Sequence, residues 1–334
     1  MALNYPRLDN ASGIWTMKEV TDAVKGGYWP NAGARGLFGG GSEPGVSNII
    51  DYITIATTGN STDFGDLTRS EDNIGGCASF TRGIWMGGNN PSGYSDVIDY
   101  VTIVTTGNAA DFGNLLSGRG AHCAVSNSVR AIGAGGYSSA VAGEDEIDYI
   151  QMASLGNATD FGNLTDGRFN IGSTSSPTRG LFAAGDDPTK KTVIDFITIA
   201  STGNAADFGD LTQAQSGTNG CASSTRGLFG GGYTPTYHAQ VEYVTMASTG
   251  NAIDYGDLTE AFQGLGSLSN ARRGVWAGRR TPSSNNVIDY LTIATGGAGI
   301  DFGDLAVRRH NQSGGASNSH GGLADGNQGV VDTT

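Results

Sequence analysis

Hydrophobic positions in this chain do not alternate cleanly; they recur in blocks. A β-branched, aromatic block of the form VIDYITIAT begins near Ile50, Ile98, Ile147, Ile194, Val241 and Ile288, and its composition suits a pleated surface. Each copy is preceded by a second apolar block, RGLFGGG or a relative, beginning at Arg35, Arg82, Arg130, Arg179, Arg226 and Arg273, with steps of 47, 48, 49, 47 and 47 residues. Both blocks are apolar on both faces, as expected of a sheet packed between two neighbours. A small-residue stretch before them (Gly75–Ser79, Gly172–Ser175, Gly220–Ser223) and a DFGDL segment after a TGN turn complete the unit. Every repeat therefore predicts four strands, here a to d in chain order. A period in the forties marks a propeller or another repeat array, and units of this size must share one core. The expected fold is all-β, a six-bladed β-propeller with four-stranded blades.

The ends of the chain fit a closed ring. No small-residue strand precedes Arg35, whereas SGGASNSHGGLADG at Ser313–Gly326 matches strands a and b. Strand a of the first blade is expected from residues 313–319, which removes a free sheet edge. The division expected is residues 1–31 as an N-terminal helical arm, 32–328 as the propeller and 329–334 as a tail. Within the arm, Ile14, Met17, Val20 and Val24 fall at helical spacing, Gly26 and Gly27 supply a stop, and Trp15 and Trp29 add apolar surface. Such a segment either caps its own propeller or docks on a larger assembly; Ile14, Trp15, Met17, Val20 and Trp29 are the candidate docking residues.

Composition sharpens this picture in three respects. Glycine numbers 55 of 334 residues, but its excess is periodic and so argues for turns and close strand approach. Half of the 32 acidic residues occupy three recurrent repeat positions, so much of the net charge of −13 belongs to the framework. That balance disfavours nucleic acid, which needs clustered Lys and Arg. Cys77, Cys123 and Cys221 occupy nearly the same place in the repeat; small buried side chains are expected there, and an odd count without CxxC spacing argues against disulfides or zinc. No apolar run suggests a signal peptide or a membrane span, so folding in a cytosol is expected.

The order of features resembles kelch-type propellers: a small-residue strand, a Gly-Gly strand (Gly39–Gly40, Gly87–Gly88, Gly135–Gly136, Gly230–Gly231), then a strand with a central aromatic (Tyr52, Tyr100, Tyr149, Phe196, Tyr243, Tyr290) and an outer aromatic (Phe64, Phe112, Phe161, Phe208, Tyr255, Phe302). Phe or Tyr stands where kelch repeats usually carry Trp. The repeated DYITIATTGNATDFGDLT text, together with ASGIWTMKEVTDAVKGGYWP at Ala11–Pro30, is similar to repeat proteins in the virions of tailed bacteriophages of marine bacteria. That resemblance covers nearly the whole chain. It implies a non-enzymatic virion component assembled in the host cytoplasm, with other virion proteins as partners and no cofactor. Tail or fibre association with host-surface glycan or receptor binding is the reading adopted. The alternatives are a capsid decoration or collar protein without receptor role, and a carbohydrate-binding or carbohydrate-acting module. Homo-oligomerisation is compatible with each.

Catalytic chemistry has little to rest on. His122, His238, His310 and His320 fall in different repeats and loop types, and no GxSxG, P-loop or HExxH motif occurs. Neither catalytic nor metal-binding residues are assigned. Two carboxylates three apart in GNAADFGD could contribute calcium ligands, although Asp63 and its equivalents are expected to accept backbone N–H bonds in the turn. The six repeat arginines are expected to pair with those same aspartates. Strand direction places the a–b and c–d connections on one face and the b–c and d–a connections on the other. The c–d turns are nearly uniform, whereas the b–c loops differ completely: SEPGVSN, NNPSGYSD, YSSAVAGED, DDPTKKT, YTPTYHA, RRTPSSNN. Varied loops on a rigid scaffold suit recognition, and Tyr94, Tyr137, Tyr233, Tyr237, His238, Arg279 and Arg280 are the candidate binding residues there.

Overall fold

A computed structural model describes residues 34–42, 45–264, 266–281, 283–310 and 314–323. The predicted helical arm and its five docking residues lie outside that set, as does the 329–334 tail; no helix occurs among the described residues. The strands form six antiparallel sheets. In order a to d, blade 2 is Gly75–Ala78, Arg82–Asn90, Gly93–Thr102 and Ala110–Asn114, and blade 3 is Cys123–Ser126, Arg130–Ala134, Glu146–Gln151 and Thr159–Asn163. Blade 4 is Gly172–Ser175, Arg179–Ala183, Lys191–Thr198 and Ala206–Gln215. Blade 5 is Asn219–Ala222, Arg226–Gly230, Thr236–Thr245 and Ile253–Phe262; blade 6 is Gly266–Ser269, Arg273–Thr281, Ser283–Thr292 and Ile300–Asp304. Blade 1 takes strands b to d from Arg35–Gly39, Ile49–Thr54 and Thr62–Asp66, and its strand a from Gly314–Ser317. The ring is closed by its C-terminal strand, as the sequence predicts.

Apolar residues of strands b and c fill the spaces between blades, each core cluster drawing on two neighbouring sheets. Strand a lines the axis, where serine hydroxyls bridge adjacent blades: Ser126 donates to Ala78 O, Ser175 to Ser126 O and Ser269 to Ala222 O, at 2.7 to 2.9 Å. The three cysteines are free and buried, and burial pushes the Cys77 and Cys123 thiols up to about 12 and Cys221 higher still.

Two devices explain why one face reads so uniformly. Each c–d turn docks on strand d of the preceding blade: Gly107 N donates to Phe64 O, and Ala109 N to Asp66 O, while the Asn108 side chain accepts from Asp66 N. The belt closes where Gly59 N donates to Phe302 O and Ser61 N to Asp304 O. This covers the outer strand edge, which would otherwise be free to pair with another chain. It also dictates the DFG glycine. At Gly65 (φ +148°) a Cβ would lie 2.5 Å from the Gly107 carbonyl.

The second device is the arginine ring, and it corrects the expected pairing. Arg35 lies opposite Thr54 in the ladder, whereas Asp63 lies opposite Asp51. Three residues separate those rungs, about 10 Å of strand. Each arginine instead stacks on the strand-c aromatic of its own blade, 4.5 to 5.4 Å from the ring centroid. Its guanidinium then donates to a carbonyl of the next blade: Arg35 to Ile103, Arg82 to Met152, Arg130 to Ile199, Arg179 to Met246, Arg226 to Ile293 and Arg273 to Ile55, at 2.6 to 3.1 Å. The DFG aspartates are exposed; of the six, only Asp254 accepts a backbone N–H, from Gly256.

Candidate recognition face

The face built from b–c and d–a connections is anchored from below by buried charge. The acid of each VIDY block is buried and accepts the backbone N–H that follows strand d of the preceding blade, as Thr68 N gives to Asp99 and Thr165 N to Asp195. An arginine completes the pair at four seams: Arg119 with Asp148, Arg168 with Asp195, Arg279 with Asp289 and Arg309 with Asp51. Three of these arginines stand four residues after the strand-d leucine. At that position Glu71, Gln215 and Phe262 replace them in the other blades, all buried. Where Phe262 fills the slot, Arg279 arrives from strand b and lies over its ring at 4.7 Å. Arg279 is therefore a buried structural residue and does not project from the face as its place in RRTPSSNN suggests.

Among the described residues, no arginine forms an ion pair with Asp99 or Glu242 at the remaining two seams. Burial raises Glu71 and Asp99 above the usual carboxylate range, each also feeling a neighbouring carboxylate, and burial raises Glu242 as well.

Above these seams the loops are tied to one another. Isolated β-bridges join Asp72 to Asn89, Gly120 to Tyr137, Phe169 to Asp186, Ser216 to Tyr233 and Gln263 to Arg280. Around the channel mouth the d–a loops hand hydrogen bonds from blade to blade: Ala121 N to Asn73 O, Asn170 N to Ala121 O, Gly217 N to Asn170 O. Asn73, Ala121 and Asn170 take φ of 52–55° to aim these groups, a conformation that favours Gly or Asn.

On this platform the tyrosines named from sequence converge. Tyr94, 41% exposed, meets the edge of Tyr137 at 5.3 Å, and Tyr137 meets Phe169 at 5.4 Å. The Asn89 amide donates to the Tyr137 hydroxyl at 2.7 Å. Farther round, Lys190 pairs with Asp186 and lies 4.9 Å above Tyr233, whose ring packs 5.4 Å from Tyr237. His238 is half-buried beside the Gln213 amide, and Arg280 is exposed on blade 6. Phe169, Asn89 and Lys190 belong to the group although sequence reasoning did not select them. Phe169 was visible as the one aromatic in its d–a loop, next to a buried arginine.

The axis offers little room. Two cavities of about 50 and 40 Å³ lie along it, space for ordered water and far below the usual ligand pocket. Residues 318–323 plug the uniform-face end. There Gly322 N donates to His320 Nδ1, and His320 Nε2 lies 2.7 Å from Ala78 O; burial lowers this histidine to about 4. At the other mouth His122 is buried and pushed down to about 3, mainly by burial. The four histidines thus occupy four separate settings: channel mouth, b–c loop, the Ser42–His310 bridge and the plug. Among the described residues no group of three or more His, Cys, Asp or Glu could hold a metal ion.

No protein-family model matches the chain, and no curated protein does.

Proposed function

We propose that this protein is a non-enzymatic structural component of a tailed-bacteriophage virion, tail- or fibre-associated, held through residues 1–31 and presenting its varied loop face to a host surface or partner. One observation carries the reading: the first described residue lies on the face opposite the varied loops. Ala34, where the described chain starts, accepts a hydrogen bond from Ile55 N at the head of a c–d turn, on the uniform face. A particle gripping the arm holds the propeller with its varied loops outward. Those loops are rich in Tyr, Ser, Gly and Asn, residues that combine rigid contact area with adaptable hydrogen bonding in paratopes.

The uniformity of the c–d turns follows from their belt role, so recognition falls to the aromatic loops. The test is to remove residues 1–31 from the gene in the phage. The truncated propeller should fold with its normal melting temperature and be missing from purified particles. Normal incorporation of that propeller would sink the docking role.

A further inference from the structure

We propose that the aromatic arc crossing blades 2 to 5 is a binding site for an uncharged oligosaccharide chain. The inference rests on the reading of this face as a recognition surface and names what it recognises. Tyr94, Tyr137 and Phe169 form one run of ring contacts. The run continues through the backbone bridge from Phe169 to Asp186, the Asp186–Lys190 ion pair and the Lys190–Tyr233 contact to Tyr237. All five aromatic residues are half-buried or exposed, in an otherwise short-chained polar setting. The b–c loops of blades 4, 6 and 1, DDPTKKT, RRTPSSNN and SEPGVSN, carry no aromatic residue, and in blade 4 the Asp186–Lys190 pair spans the gap. The arc is therefore one-sided and follows the circumference, a shape for an extended chain and not for a single small molecule.

The chemistry around the rings selects the ligand class. The cation in the arc, Lys190, faces Asp186 and the Tyr233 ring, and Glu144 accepts from the Ser138 hydroxyl at 2.6 Å. The polar groups beside the tyrosines are neutral amides, hydroxyls and phenols, from Asn89, Asn90, Thr234 and Thr236, with Asn89 already donating to Tyr137 and Asn90 to Glu71. Aromatic surface combined with neutral donors and acceptors complements a sugar, which presents an apolar C–H face and a rim of hydroxyls. Single-stranded nucleic acid also stacks on aromatics, but it requires a basic groove, and the chain carries −13. A protein partner wants a continuous apolar centre. The exposed Leu116, Val141 and Val307 sit in three separate loops. Backbone bridges at Asn89, Tyr137, Phe169 and Tyr233 hold the arc in place before binding, which lowers the ordering cost of association.

The test uses the full-length protein on an array of glucose, galactose, mannose and N-acetylglucosamine oligomers, with anionic glycans alongside, followed by calorimetry on the strongest binder. Binding to an uncharged oligomer is expected. Tyr94→Ala and Tyr237→Ala should each weaken it about tenfold or more, the effect of losing an anchoring aromatic. Arg280→Ala, on the aromatic-free side, should leave it within about twofold, and all three variants should keep the parent's unfolding midpoint, as surface substitutions do. Failure to bind any uncharged oligomer overturns the proposal. So does binding that survives both tyrosine replacements, or binding confined to anionic glycans and lost in Arg280→Ala. Sugar binding by a chain that is absent from particles would leave this inference standing and remove the virion assignment; the reverse result would separate them the other way.

Discussion

Replacing Arg309 by Met probes the seam where the ends of the ring meet. Arg309 follows strand d of blade 6, is 2% exposed, and pairs with the fully buried Asp51 of blade 1. Its guanidinium also donates to the Gly40 and Ile49 carbonyls, both at 3.0 Å. Methionine fills most of the volume and leaves a buried carboxylate with only the Ala306 backbone for support. Losing one partner of a buried pair costs about 3–5 kcal/mol, a large share of the roughly 5–15 kcal/mol that holds a domain folded. The cost should depend on pH in a definite direction. Burial already raises Asp51 above the usual carboxylate range while Arg309 opposes that rise, so the variant raises it further. The folded state then binds more protons than the unfolded one, and stability falls as pH rises through the raised range. Urea unfolding followed by fluorescence of the buried Trp85 and Trp276 should show the full deficit at about pH 7 and a smaller one at about pH 5. Adding Asp51→Asn should recover part of the loss at neutral pH. A deficit under about 1 kcal/mol at neutral pH, well short of a broken buried pair, would refute the reasoning. A deficit unchanged between the two pH values would refute it equally.

Three further outcomes follow from the same contacts. Glu71→Arg places a guanidinium beside Asp99 at the position arginine holds at three other seams and should raise stability at neutral pH by about 0.5–2 kcal/mol. The gain should shrink in acid, where the raised Glu71 and Asp99 carboxyls of the parent are protonated; an equal or negative effect at all pH values would count against the seam model. Arg82→Lys loses planar stacking on Tyr100 and the bond to Met152 O, which should cost about 1–2 kcal/mol in urea unfolding, whereas Asp111→Asn on the exposed strand should stay within about 0.5 kcal/mol. Deleting the chain from Ser313 onward removes strand a of blade 1 and the axial plug, so calorimetry should show a cooperative loss of the whole ring; a truncated protein melting like the parent would disprove closure.

The repeat made the architecture readable because every blade spells out the same four strands, and SGGASNS announced the closing strand by matching GGCAS and GSTSS elsewhere. The buried ion pairs were hidden for a physical reason. Three of their arginines occupy a position that also reads Glu71, Gln215 and Phe262 and reach their acids across a seam, which local text does not display. Arg35 and its equivalents looked like partners for aspartate because both recur with the repeat. Recurrence reports a shared environment, and here that environment is an aromatic ring plus a carbonyl of the next blade. On the varied face, Tyr94, Tyr137, Tyr233 and Tyr237 were recognisable as loop aromatics. Arg279 was misread because the lengthened strand b of blade 6 carries it down to Asp289, while Phe169 went unselected although it is the one aromatic of its d–a loop.

The most direct test of the functional account is electron microscopy of intact phage particles labelled with gold-conjugated antibody against the b–c loops bearing Tyr94 and Tyr237. The account predicts gold on the outer surface of the tail or its fibres, with antibody against residues 1–31 binding only after particles are disrupted. Absence of the chain from particles, or particles that bind the arm antibody while masking the b–c loops, would contradict it.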